Sequence, residues 1–206
     1  MNTAEFLHRH LNRSGEPSPV ALAPTFTRRN LAKLFRALGY TYGAEVGVAD
    51  GRHALMLCQT VPELRLIGVD PWVKYRRNPR GGPQIQHDKN KRLAAERLAP
   101  FSADLRQLTS MDAVTVIPER SLDFVYIDGH HGFDYVAQDI IEWGKRVRVG
   151  GIISGHDYYA FKWAGVIEAV NAYTTAHHVE EWYVSQEREP TWFFSKTADA
   201  FPHRGW

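Results

Sequence analysis

Two acids and three histidines stand at two points in the second half of the chain, as Asp128-Gly129-His130-His131 and Gly155-His156-Asp157-Tyr158. Each group ends a strand-like apolar run, "LDFVYI" in one case and "GGIIS" in the other. A carboxylate beside an imidazole can take a proton from a hydroxyl. A pair of carboxylates can instead hold a divalent cation that lowers the pKa of that hydroxyl and orients it. Oxygen donors suit Mg²⁺, and a histidine among them is tolerated by Mn²⁺. Asp128, His131, Asp157 and His156 are therefore the candidate catalytic residues, with Asp128 and Asp157 the candidate metal pair. Plainer roles stand beside these. Asp128 could cap the helix that follows it, His131 and His156 could be structural hydrogen-bonders, and Asp134 and Asp139 fall early in a helix, where the dipole favours acids anyway.

A second group of chemistry-bearing residues lies earlier. Glu45-Val46-Gly47-Val48-Ala49-Asp50-Gly51 leaves an apolar run and enters a helix, with glycines that allow a tight turn and close backbone approach. Asp70 closes the next apolar run, "LRLIGVD", nineteen residues after Gly51. That is close to the ~20 expected of a carboxylate that accepts ribose hydroxyls. The glycines do not follow the G-x-G-x-x-G spacing of a pyrophosphate site, and Glu45 and Asp50 would repel a pyrophosphate. Acids suit a ligand carrying an ammonium and a sulfonium. The pattern favours S-adenosylmethionine over NAD, and an NAD-linked oxidoreductase is disfavoured.

These residues need elements to position them. "TFTRRNLAKLFRALG" reads as a helix capped by Thr27 and ended by Gly39. Strands follow at "GAEVGV", "LRLIGVD", "DLRQLTS", "SLDFVYID" and "GGIISGHDY", alternating with helices that include "GRHALMLCQTV", "QHDKNKRLAAERLAP" and "FDYVAQDIIEWGKRV". "MDAVTVIPE" reads as a loop or short helix, and "EEWYVSQ" and "TWFFSK" as a terminal antiparallel hairpin. Such alternation predicts a mostly parallel sheet with helices on both faces, whose ligands bind outside the carboxyl ends of the strands. Both chemical groups stand at strand ends.

The 206 residues fit one domain, with 1–39 a helical lead-in, 40–195 the α/β core and 196–206 a tail. A net charge of +2 creates no global demand for nucleic acid or an anionic membrane. The basic stretch "KYRRNPRGG" reads as a solvated loop or an anion-recognising lid. Cys58 is the single cysteine, so no intramolecular disulfide can form. With no apolar run of about 18 residues and no signal-like apolar core near the start, the expected location is the cytoplasm, without a membrane partner.

The sequence E-x-G-x-x-x-G from Glu45, the acid Asp70, "IDGHH" and "GGIISGHDY" together resemble the class I S-adenosylmethionine-dependent methyltransferases, and more narrowly the small families related to macrocin-type O-methyltransferases. The likeness spans about residues 40 to 195 and implies a Rossmann-like fold, a mostly parallel seven-stranded sheet with a C-terminal antiparallel hairpin. It further implies that Glu45, Gly47, Val48 and Gly51 line the methionine and ribose part of the cofactor site. By the same likeness Asp70 and Pro71 lie at the ribose, Ser110 and Met111 border the adenine, and Asp128 faces the methyl group. Phe133 stands where the family has Tyr, and His156 where metal-using members often have a second acid. The implied activity is methylation of a hydroxyl on a sugar or secondary metabolite, aided by Mg²⁺ or Mn²⁺. A nucleic-acid-directed methyltransferase gripping phosphates with "KYRRNPR" is the alternative, and a non-catalytic nucleotide-binding module is another. D-G-H-H after the fourth strand is not the loop used for base amino-methylation, and Cys58 is misplaced for pyrimidine carbon methylation. The acceptor and the oligomeric state, including a possible homo-oligomer, are not encoded in any recognised motif.

Overall fold

The computed structural model describes residues 2–12, 15–74, 82–161 and 164–197. Most of the basic stretch, residues 75–81, therefore lies outside the described residues, as do Trp163 and residues 198–206. In chain order the elements are α1 (Thr3–Leu11), β1 (Val20–Ala21), α2 (Arg28–Ala37), β2 (Tyr42–Val46), α3 (Arg52–Thr60), β3 (Arg65–Val69), α4 (Gln84–Leu98) and β4 (Ala103–Arg106). They continue with α5 (Ser110–Val114), β5 (Leu122–Ile127), α6 (Phe133–Arg146), β6 (Val147–Gly155), α7 (Val166–Ala176), β7 (Trp182–Val184) and β8 (Trp192–Ser195).

The strands form one sheet in the order β1-β7-β8-β6-β5-β2-β3-β4. Pairing is parallel except where β8 runs antiparallel to both β6 and β7. The expected hairpin is present, but the sheet has eight strands, not seven. The extra one, β1, pairs Val20 and Ala21 with Tyr183 and Val184 at the sheet edge. Two residues are too few to show a period, so no alternation marks β1 in the sequence.

Strand alternation divides the core in two. Leu66, Phe124, Tyr126 and Ile152 point to the face covered by α2, α3 and α4, with Phe35, Leu57 and Ala94. Ala44, Val46, Ile67, Val69, Val125, Ile127 and Ile153 point to the other, with Val136, Ile140 and Trp143 of α6 and Val170 of α7. Strands so continuously apolar need cover on both sides, and that fixes the three-layer arrangement. The α2 helix ends as its sequence suggests. Gly39 takes φ 71°, its N–H reaches the Arg36 carbonyl, and the Tyr40 N–H reaches that of Phe35 at 3.0 Å. The Tyr40 and Phe35 rings stack across this stop, the apolar contact of a Schellman end.

From β2 the chain steps outward to β3 and β4, then returns to place β5 on the other side of β2. The reversal lies between β2 and β5, and a crevice opens at their carboxyl ends. Among the described residues no helix is long and apolar enough to cross a membrane.

Candidate active site at the strand ends

The crevice is a cavity of about 450 Å³, bordered by residues after β2 (Gly47, Ala49), β3 (Asp70, Pro71, Trp72), β4 (Thr109, Ser110, Met111) and β5 (Asp128, Gly129, His130). Gly47 makes the reversal possible. It takes φ 93°, and a Cβ there would collide with the Asp128 carbonyl. The main chains of the two strand ends thus pass in direct contact, tied by the Asp128 N–H on the Val46 carbonyl at 2.8 Å.

Asp70 organises the next two exits. One carboxylate oxygen accepts the Ala49 N–H at 2.9 Å and the other the Trp72 N–H at 2.7 Å. The Trp72 indole N–H returns a bond to the Ala49 carbonyl at 2.8 Å. Ala49 and Trp72 sit at φ 48° and 45°, a region non-glycine residues seldom occupy. The Asp70 carboxylate therefore holds the strained backbone that follows both β2 and β3, and each oxygen keeps a lone pair for a further donor. Burial raises its pKa, against those same two amide bonds.

Across the cavity, Ser110 donates to Asp139 Oδ1 and accepts the Trp143 indole N–H at 2.8 Å. Asp139 is 4% exposed, and burial pushes its carboxyl up to about 6, opposed by Ser110. Asp139 lines the cavity together with His87 and Asn90 of α4 and Tyr135 and Gln138 of α6. Strand-end reasoning cannot reach these four: they come from helix faces, and only the fold brings them in. His130 borders the cavity too, its Nδ1 accepting the Gly132 N–H at 3.1 Å and its ring against Tyr135.

Three of the expected cofactor residues lie elsewhere. Glu45 is 1% exposed on the opposite face of β2, its carboxylate 3.2 Å from the His53 ring. Adjacent strand residues face opposite ways, so once Val46 borders the cavity Glu45 cannot. Val48 is in the α2–α4 core. Gly51, at φ 80°, gives way to α4, since a Cβ there would stand 2.8 Å from Ala94 Cα.

Beside Asp128 the structure gathers the remaining candidates. β5 and β6 are parallel neighbours in register at Ile127 and Gly155, so the residues after them meet. His131 Nε2 lies 3.0 Å from Asp157 Oδ2 and 3.5 Å from Asp128 Oδ1. His156 Nδ1 lies 3.4 Å from Asp157 Oδ1 and 3.6 Å from Asp128 Oδ2. Asp157 adopts φ 59°, a further strained strand exit. Burial lowers the pKa of His131, but the Asp128 hydrogen bond and the charges of Asp157 and Asp128 outweigh it and leave the imidazole above its ordinary value. Burial, then the Asp128 charge, raises Asp157. Asp128 does not cap α6, whose N-cap is Gly132. Phe161 sets its ring edge against His131, and Phe133 stands half exposed at the start of α6.

Asp128, His131 and Asp157 offer one donor atom each, all within 4.8 Å of one another, and His156, Asp157 and Glu189 form a second such group. Two carboxylates and an imidazole are a donor set that fits a hard-to-borderline divalent cation.

The doubly wound sheet thus has a switch-point cavity bordered by the Asp70 carboxylate, with acids and imidazoles just beyond it. The methyltransferase domain family matches residues 44–158, and the chain belongs to it. An uncharacterised protein of Acanthamoeba polyphaga mimivirus is 28% identical over 156 residues, which are 69% of this chain and 62% of that protein, so the match spans about three fifths of the relative's length. Among solved structures, the O-methyltransferase from Bacillus cereus in complex with S-adenosylhomocysteine superimposes with a TM-score of 0.60 at 14% identity, covering 94% of this chain and 90% of that one. The O-methyltransferase TomG from Streptomyces achromogenes, in complex with S-adenosylmethionine and involved in tomaymycin synthesis, gives 0.59 at 14% identity, covering 94% and 87%. At such identities the likeness is one of fold.

Proposed function

We propose that the protein transfers a methyl group from S-adenosylmethionine to a hydroxyl of a small molecule, and that a divalent cation assists. The observation that carries this reading is the double membership of Asp128. It borders the 450 Å³ cavity and belongs to the cluster with His131 and Asp157.

The bound cofactor supplies an electrophilic methyl. The chain's part is to position the two reactants and manage one proton. Asp70 accepts the ribose hydroxyls on the lone pairs its amide bonds leave open. Met111 lies against the adenine as a soft apolar contact. Gly47 and Gly129 admit the cofactor close to the backbone of β2 and β5. Asp128, His131 and Asp157 would hold the cation, which supplies charge that lowers the acceptor's hydroxyl pKa. Those side chains then fix the acceptor oxygen in line with the methyl, where alignment lowers the barrier. Without a cation, His131 is the base: Asp157 holds the Nε2–H, so the hydroxyl proton is taken at Nδ1 and the carboxylate stabilises the imidazolium. The 3.0 Å separation of His131 and Asp157 favours this second reading.

Methyl transfer to a panel of catechols, sugars and polynucleotides, with Mg²⁺ or with a chelator, separates the alternatives. The expected result is turnover on a small hydroxylated acceptor that chelation abolishes. Turnover that survives chelation assigns the proton to His131, and turnover confined to polynucleotides removes the small-molecule reading. Asp128→Asn should cost about 10³-fold in turnover, within the range for groups that handle the transferred proton, with S-adenosylhomocysteine still bound.

A further inference from the structure

Three carboxylates border the 450 Å³ cavity, Asp70, Asp128 and Asp139, and the proposed transfer uses two of them. Asp139, on the second turn of α6, has no part in it. An acid that is 4% exposed is unfavourable unless its oxygens find donors. The chain supplies few. No cation of the chain bears on Asp139, whose carboxyl feels burial and the Ser110 hydroxyl alone. The direction of the Ser110 bond follows from its other partner. The Trp143 indole N–H can only donate, so the Ser110 hydroxyl accepts it at 2.8 Å and turns its own hydrogen to Asp139 Oδ1. Oδ1 is therefore an acceptor, and the Ser110 hydrogen is committed.

The second oxygen, Oδ2, accepts no hydrogen bond among the described residues. It differs from Glu45 Oε2, which is also without a partner but wholly enclosed, because Oδ2 keeps contact with open space. That space is the cavity. A Cβ built on Gly129 would stand 3.8 Å from Oδ2 and 3.5 Å from Val46 Cγ1, and Val46, Gly129 and Asp139 all border the cavity. An almost buried carboxylate thus turns one bare oxygen into the cofactor cavity, where it calls for a ligand N–H or O–H.

S-adenosylmethionine has three kinds of donor: the ribose hydroxyls, the ammonium and the exocyclic amine of adenine. The hydroxyls belong to Asp70, and the ammonium to the methionine end beside Gly47 and Asp128. Asp139 is tied to Ser110, which with Met111 borders the adenine, and the Met111 thioether is only a weak acceptor. We propose that Asp139 accepts the adenine amino group on Oδ2 and is the residue that selects adenine among purine bases. The Trp143–Ser110 relay is the positioning device, since it occupies Oδ1 and aims Oδ2 at the base. This rests on the S-adenosylmethionine reading.

The test compares S-adenosylhomocysteine with S-inosylhomocysteine, in which a carbonyl replaces the amino group, by calorimetry on wild type, Asp139→Asn and Asp139→Ala, with thermal unfolding to show which variants fold. Wild type should prefer S-adenosylhomocysteine by about tenfold or more, the loss typical of one hydrogen bond to a charged group. In Asp139→Asn, Ser110 holds the amide oxygen and the amide N–H₂ faces the base, so the preference should vanish or reverse in favour of the carbonyl. Asp139→Ala offers neither acceptor nor donor and should bind the two ligands equally, so either folded variant decides. A structural role for Asp139 would weaken both ligands alike and leave their ratio as in wild type. That result, or a wild type that binds both ligands equally, overturns the proposal. A wild type that binds neither ligand overturns the cofactor reading, and the proposal with it.

Discussion

Burial holds the Asp139 carboxyl near a pKa of about 6, so the folded protein grips that proton more tightly than the unfolded chain. The sign follows: the stabilisation is complete below about pH 4, the unfolded value, and is lost as pH rises through about 6. Two pKa units amount to roughly 3 kcal/mol. Asp139→Asn keeps an acceptor for Ser110 and has no proton to lose. Urea unfolding should therefore show wild type losing up to roughly 3 kcal/mol relative to Asp139→Asn between pH 4 and pH 7. Parallel pH profiles would mean that Asp139 is charged at no such cost. At Asp70 the consequence differs from what a ribose contact alone implies. Removing its carboxylate strands the Ala49 and Trp72 amides, and each of those residues is strained. Asp70→Ala should weaken S-adenosylhomocysteine binding by about tenfold or more and also lower the free energy of unfolding, by roughly 1–3 kcal/mol for amides left unpaired. Loss of affinity at unchanged stability would confine Asp70 to ligand binding.

The site exists because two parallel strand ends, β2 and β5, touch at a glycine. Gly47→Ala would place a Cβ against the Asp128 carbonyl at a φ that disfavours any side chain. The expected outcome is a stability loss of about 2 kcal/mol or more with loss of cofactor binding, read by thermal unfolding and calorimetry. A variant that binds normally would mean the two exits can separate. At this scale the sequence was informative in a particular way. Strand ends carry their acids in linear order, so Asp70, Asp128 and Asp157 were legible as a set, and the β5–β6 adjacency explains why Asp128 and Asp157 meet. Glu45 was not legible, because its placement depends on which parity of β2 faces which layer. The alternation of Ala44 and Val46 held that signal, but a strand buried on both faces hides it. Gly51 had the residue type of a ligand loop, yet its partner is Ala94 of α4, 94 − 51 = 43 residues further along the chain, and helix packing leaves no local mark.

At the scale of the whole molecule, the cavity bordered by Gly47, Met111 and Asp139 opens at the carboxyl ends of the strands, and the acid–imidazole cluster stands beside it through Asp128. The alternation of strands and helices announced this architecture, while the edge strand β1 escaped notice because its partner, β7, is more than 150 residues away in sequence. A structure of the protein with S-adenosylhomocysteine tests the central claim most directly. The account predicts the nucleoside in the cavity between β2, β3 and β5, its ribose on Asp70 and its sulfur turned toward Asp128. Density for the ligand on the α2–α3 side, or a cofactor whose sulfur points away from Asp128 and His131, would contradict it.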